Sequence, residues 1–163
     1  MNHINLIHLM LSISITLTSG IVGFGIAEKL NKKGVFFNFI KSFILTKNIN
    51  FYTLIGLKPF TWIVKNTFFK HLNQKIKITN HLNIEKAKYL LDEITISEIC
   101  HLIGFIIVII VQIIILLFFG FNNLFVFLLI LNISLNLYPF FLQERNKLRI
   151  TKLISIYNKK YDF

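Results

Sequence analysis

Leu102 to Leu142 reads LIGFIIVIIVQIIILLFFGFNNLFVFLLILNISLNLYPFFL and contains no Asp, Glu, Lys or Arg. Charged side chains are confined to two blocks, Glu28 to Glu98 and Glu144 to Asp162, so the 27 residues before the first block and the 45 between the blocks carry none. A soluble core gives no reason to exclude charge over such lengths. A charge at mid-bilayer, by contrast, costs at least about 2.5–3.5 kcal/mol. The segregation therefore predicts an integral membrane protein.

Within the quoted stretch, Leu102–Gly120 and Leu124–Leu142 are two apolar runs, each reaching about 28 Å at 1.5 Å per residue, close to the thickness of a hydrocarbon core. Phe121, Asn122 and Asn123 between them suit a tight turn at the water interface. The pair reads as a helical hairpin. Upstream, Ile4–Ile26 is a further uncharged run, rich in small and hydroxyl residues. Ser12, Thr16 and Gly20, and again Ser19 and Gly23, recur at four-residue spacing and let another helix approach closely. Reading this run as a cleaved signal peptide fits less well, since no Lys or Arg precedes it. The expected fold is an all-α membrane protein with three transmembrane helices, one N-terminal and two in a C-terminal hairpin, and interfacial amphipathic helices between them. As a single domain over 1–163 it divides into a first span (4–26), a cytoplasmic or interfacial segment (27–101), second and third spans (102–120 and 124–142) and a basic tail (143–163).

The net charge of +11 splits as +7 over residues 28–101, with 12 Lys against 5 acids, and +4 over residues 143–163, with 6 Lys or Arg against 2 acids. Both blocks flank apolar spans, where each basic residue gains about 1 kcal/mol near anionic headgroups. No nucleic-acid reader motif accompanies the charge, so the expected partners are membrane lipids and not RNA or DNA. The positive-inside rule then puts the N-terminus outside the cell membrane, residues 27–101 and the C-terminus in the cytoplasm, and the Asn122 turn outside. Between the spans, Val35–Leu45 interleaves aromatics with Lys41, and Phe60–Leu72 with Lys65 and Lys70, the composition of helices lying at headgroup level with Trp62 as an anchor. Packing of these aromatics on the transmembrane helices is a compatible alternative. Asn83 is a candidate cap for a short helix running towards Asp92.

Uncharged polar residues in a span need partners. Glu98, His101 and Gln112 share one stripe of the second span, and Asn132, Asn136, Gln143 and Asn146 share one of the third. Folding about Asn122 pairs Gln112 with Asn132, His101 with Gln143 and Glu98 with Asn146. Pro139 should kink the third span through its clash with the Leu135 carbonyl. The amides serve equally well as glue between helices. Glu98 and His101, three residues apart, set a carboxylate beside an imidazole, an arrangement in which the carboxylate orients a general base; a self-satisfied interfacial pair is the alternative. A di-iron site would need a second Glu-x-x-His, which is missing, and no spacing recommends His71, His81 and His101 as metal ligands, so no metal is expected. Cys100 points about 100° away from His101, which disfavours a Cys–His dyad, and as the single cysteine it forms no internal disulfide. After the third span, Arg145, Lys147 and Arg149 bring three cations together, suited to phosphates or to anchoring on lipid.

Glu98-Ile-Cys-His101, an apolar helix, then Asn136-Leu-Tyr138-Pro139 followed by Gln143, Asn146 and Arg149 resembles the glycosyl-4,4'-diaponeurosporenoate acyltransferases, small membrane enzymes of staphyloxanthin-type carotenoid pathways. The likeness covers roughly residues 95–150, with a fainter echo at Phe51–Lys58. Glu144, Arg145 and Lys147 stand where that family usually carries Arg, Tyr and Arg. The resemblance implies transfer of a fatty acyl group from a thioester donor, acyl-CoA or acyl carrier protein, to a hydroxyl of a membrane-embedded glycolipid or glycosylated carotenoid, with no bound cofactor. It further implies His101 and Glu98 as catalytic residues and Asn136, Tyr138, Gln143, Arg145, Asn146 and Arg149 as substrate-binding residues. The second reading is a non-enzymatic membrane scaffold or subunit. Three spans without internal symmetry could form a transport path only as a homo-oligomer, and the oligomeric state stays open.

Overall fold

A computed structural model describes residues 3–66 and 84–161, with side chains through Lys159. Every regular element among the described residues is a helix, and none is a strand. In chain order the helices are α1 (His3–Glu28), α2 (Val35–Ser42), α3 (Ile49–Leu54), α4 (Leu57–Asn66), α5 (Ile84–Phe119), α6 (Asn123–Asn132), a π-helical turn (Ile133–Leu137) and α7 (Tyr138–Tyr161). Three helical stretches are long and apolar enough to cross a membrane: His3–Glu28, Ile84–Phe119 and Asn123–Lys159. These are the N-terminal span and the two arms of the hairpin, and they make the chain an integral membrane protein.

Two compact units emerge, one from residues 1–31 and 96–140, the other from residues 32–95 and 141–163. In the first, α1 inverts the pattern of a soluble helix. Ser12, Thr16, Ser19, Gly23 and Ala27 are buried, while Ile4, Ile7, Met10, Leu17, Ile21 and Phe24 are exposed. That polarity suits lipid as solvent, because small and hydroxyl residues pack helix on helix and aliphatic ones face hydrocarbon. Each buried hydroxyl satisfies itself on its own helix, as Thr16 Oγ1 does on the Ser12 carbonyl at 2.8 Å and Ser19 Oγ on the Thr16 carbonyl at 2.7 Å. Of the two glycines expected to admit a neighbour, only Gly23 does so. A Cβ there would lie 2.5 Å from the Cys100 carbonyl oxygen, whereas Gly20 faces open space.

The hairpin turns where the sequence predicts. Gly120, at φ +67°, ends α5 in the left-handed region that favours glycine. Asn122 then caps α6, its Oδ1 accepting from the Phe125 N–H at 3.1 Å, and Asn123 Nδ2 donates to Asn5 Oδ1 of α1 at 2.7 Å. Val108, Ile115 and Leu128 form the apolar centre of this unit. The irregularity expected at Pro139 takes the form of the π turn before it, in which the Tyr138 N–H reaches the Ile133 carbonyl. Widening the turn moves the carbonyls that an α ladder would press against the proline ring. Ser134 assists by donating to the Ile130 carbonyl at 2.8 Å.

Two boundaries differ from expectation. The short helix expected to end near Asp92 is the beginning of α5, which runs unbroken from Ile84 to Phe119, and the expected tail is helical to Tyr161. Asn83, its expected cap, lies outside the described residues, as do His71, His81 and the Phe68–Leu72 end of the second interfacial segment. In the second unit, Leu91 and Ile94 of α5 pack on Ile150 of α7. α2 divides its aromatics: Phe37 and Ile40 are buried, while Val35, Phe36 and Phe39 are exposed, and Trp62 on α4 is 67 % exposed.

Candidate functional site

The first unit holds Glu98, His101, Asn136 and Tyr138. Glu98 is buried, at 1 % exposure, and His101 is half-buried one turn further along α5. Their three-residue spacing on a continuous helix puts both on one face. Between them Cys100 turns aside, its Sγ lying 3.6 Å from the Gly20 carbonyl of α1. Gly104, one turn beyond His101, is covered by Asn136, whose Oδ1 would stand 2.8 Å from a Cβ at that position. The π turn delivers Asn136 to this place, where its Nδ2 donates to Asn132 Oδ1 at 2.8 Å. Tyr138 follows, half-buried at the start of α7.

The expected amide pair of Gln112 and Asn132 is not formed. Gln112 Nε2 donates to the Phe125 carbonyl at 3.4 Å, and Asn132 Nδ2 to the Phe105 carbonyl at 3.2 Å. Each amide thus reaches seven residues from its expected partner. Seven residues are about two helical turns, so the polar stripes still face each other while the register differs. A backbone carbonyl of the facing helix serves as acceptor because its second lone pair remains available after the helical bond.

The second unit holds Gln143, Arg145, Asn146 and Arg149, all on α7. Gln143, Arg145 and Asn146 are half-buried and Arg149 is exposed. Lys147, expected beside the two arginines as a surface cation, is instead fully buried. Its Nζ lies 3.2 Å from Glu144 Oε1, with both side chains at 0 % exposure, and donates to the Ile40 carbonyl at 3.0 Å. Glu144 Oε2 accepts from the Leu45 N–H and from the Tyr52 hydroxyl, each at 3.2 Å. The Phe51 ring packs edge-on against Phe141 at 6.1 Å between centroids. Tyr52 and Glu144 are functional candidates that the sequence reading missed, and Lys147, read as a surface cation, joins them in the interior. The three-residue spacing of opposite charges was the available signal. Glu144 and Lys147 are also two of the three positions at which the chain departs from the pattern it resembles, and as partners they account for each other. In the same unit, partly exposed ion pairs link Lys32 to Glu93 and Lys41 to Asp92, contributions of about 0–1 kcal/mol each.

A buried carboxylate beside a half-buried imidazole can take up a proton from a hydroxyl, and two arginines one turn apart can take up phosphate. Comparison with known proteins bears on which chemistry is meant. No curated protein and no solved structure matches the chain. One family model does, over residues 33–156, well beyond the 95–150 segment in which the likeness is legible by eye. A match over most of the chain makes this protein a member of the glycosyl-4,4'-diaponeurosporenoate acyltransferase family.

Proposed function

We propose that this protein is a membrane O-acyltransferase that moves a fatty acyl group from a thioester donor to a hydroxyl of a membrane-embedded glycosylated carotenoid or related glycolipid, at the cytoplasmic side of the cell membrane. The observation that carries the reading is the family match over residues 33–156. It is supported by the buried Glu98 carboxylate one turn from His101. In the reaction His101 removes the hydroxyl proton, the oxygen attacks the thioester carbonyl, and the tetrahedral oxyanion collapses to ester as the thiolate leaves and regains a proton. Glu98 orients the imidazole, and Asn136 and Tyr138 bind the acceptor. Arg145 and Arg149 hold phosphates of an acyl-CoA or acyl carrier protein donor, since paired guanidinium forks match phosphate oxygens.

The test compares extractable pigments and lipids by mass spectrometry in cells with the wild-type chain, with His101→Ala and with no chain. Wild type is expected to add one acyl mass to a glycosylated lipid or carotenoid, and His101→Ala to abolish that product while inserting normally. Wild-type turnover in the variant would overturn the role of His101. One observation favours the scaffold reading: Gln112 and Asn132 both spend donor groups on joining helices. Under that reading no acyl mass difference separates the strains.

A further inference from the structure

Glu144 and Lys147 are buried without any exposed atom of either side chain. Desolvation of such a pair offsets most of its Coulomb attraction, so the pair is poorly explained as a source of stability. Its distinctive contribution is direction. Lys147 reaches the Ile40 carbonyl in the last turn of α2, while Glu144 reaches the Leu45 N–H in the following connection and the Tyr52 hydroxyl on α3. Apolar contacts are non-directional, and a helix held by them alone can roll about its axis; hydrogen bonds to three separate anchors cannot follow such a roll.

At about 100° per residue, Glu144 and Lys147 lie about 60° apart on α7, Arg145 and Arg149 about 40° apart, and the two pairs centre on nearly opposite faces. Glu144 is the single carboxylate of α7, and it belongs to the anchored face. The arginine face therefore has no acidic neighbour on its own helix to neutralise it. We propose that Tyr52, Glu144 and Lys147 form a buried latch that fixes the roll of α7 and so presents Arg145 and Arg149 together as the face that takes the phosphates of the acyl donor. The three are positioning residues that do not themselves touch the donor. The donor part of this rests on the acyltransferase reading above, while the latch itself does not.

The experiment uses the full chain in lipid nanodiscs and two readouts. In a Cys100→Ser background, Arg149→Cys carries a nitroxide whose spectrum reports the freedom of the arginine face. Lys147→Met and the milder Tyr52→Phe are each expected to shift that spectrum towards the mobile form. In the chain with both arginines, the KM for long-chain acyl-CoA should rise about tenfold in Lys147→Met, equivalent to one charge-assisted bond, and less in Tyr52→Phe. The kcat and the acceptor KM should stay within about twofold; a merely structural role would lower the active fraction and leave the donor KM unmoved. An unchanged nitroxide spectrum in Tyr52→Phe overturns the latch, whether or not Lys147→Met folds. A changed spectrum with an unchanged donor KM overturns its positioning role. A wild-type chain that turns over no acyl-CoA overturns the donor reading, and the nitroxide then still decides the latch.

Discussion

The two units solve the burial of polar groups in contrasting ways. In the first, the buried hydroxyls and amides bond to backbone carbonyls or to neutral side chains, as Thr16, Ser19, Gln112, Asn132 and Asn136 do, and helices meet at Gly23 and Gly104. In the second, the charged Glu144 and Lys147 are buried together, and their bonds run to segments about a hundred residues away in sequence. Neutral amides hold helices by contributions that are small one by one, so each is replaceable. A buried ion pair is intolerant of losing one member, because the other stays charged and unpaired.

That contrast can be broken, and its largest expected effect lies in the second unit. Lys147→Met should destabilise the chain by about 3–5 kcal/mol in SDS titration of mixed micelles, and adding Glu144→Gln should recover most of the loss. A loss that persists in the double variant would mean that shape, not charge, is what Lys147 supplies. Next comes Gly23→Ala, where the new methyl meets the Cys100 carbonyl at 2.5 Å and forces α1 from α5 at a cost of about 1–3 kcal/mol by the same titration. Asn132→Ala removes both its bond to the Phe105 carbonyl and that from Asn136, for about 0.6–2 kcal/mol. The smallest effect is of opposite sign. Gly20→Ala meets nothing within 4 Å and should stabilise by about 0.5–1 kcal/mol through helix propensity. Equal effects at Gly20 and Gly23 would remove the close α1–α5 approach from the account.

What could be read from sequence follows from the same physics. The spans were legible because hydrocarbon excludes charge, and the turn was legible because a polar Asn pair between two apolar runs suits a tight turn at the water interface. The continuity of α5 was hidden: a helix was expected towards Asp92, but Glu85, Lys86, Lys88, Asp92 and Glu93 mark its first turns as polar, and the change in hydropathy reads as a boundary even where the backbone runs on unbroken into the span. The register of Gln112 and Asn132 was hidden because a shift of two turns leaves every residue on its face. Within the candidate site, the Glu98–His101 spacing was visible along the chain. The latch was not, since Tyr52, Ile40 and Leu45 come to Glu144 and Lys147 only through the tertiary fold.

The exposure of Trp62 on α4 has an optical consequence. It is the chain's single tryptophan, so the indole emission of the whole protein originates from one place. The wavelength of that emission reports the polarity beside α4 without background from any membrane-crossing helix. Bromine atoms placed at known depths along acyl chains would quench it in proportion to proximity, giving the immersion of that helix directly.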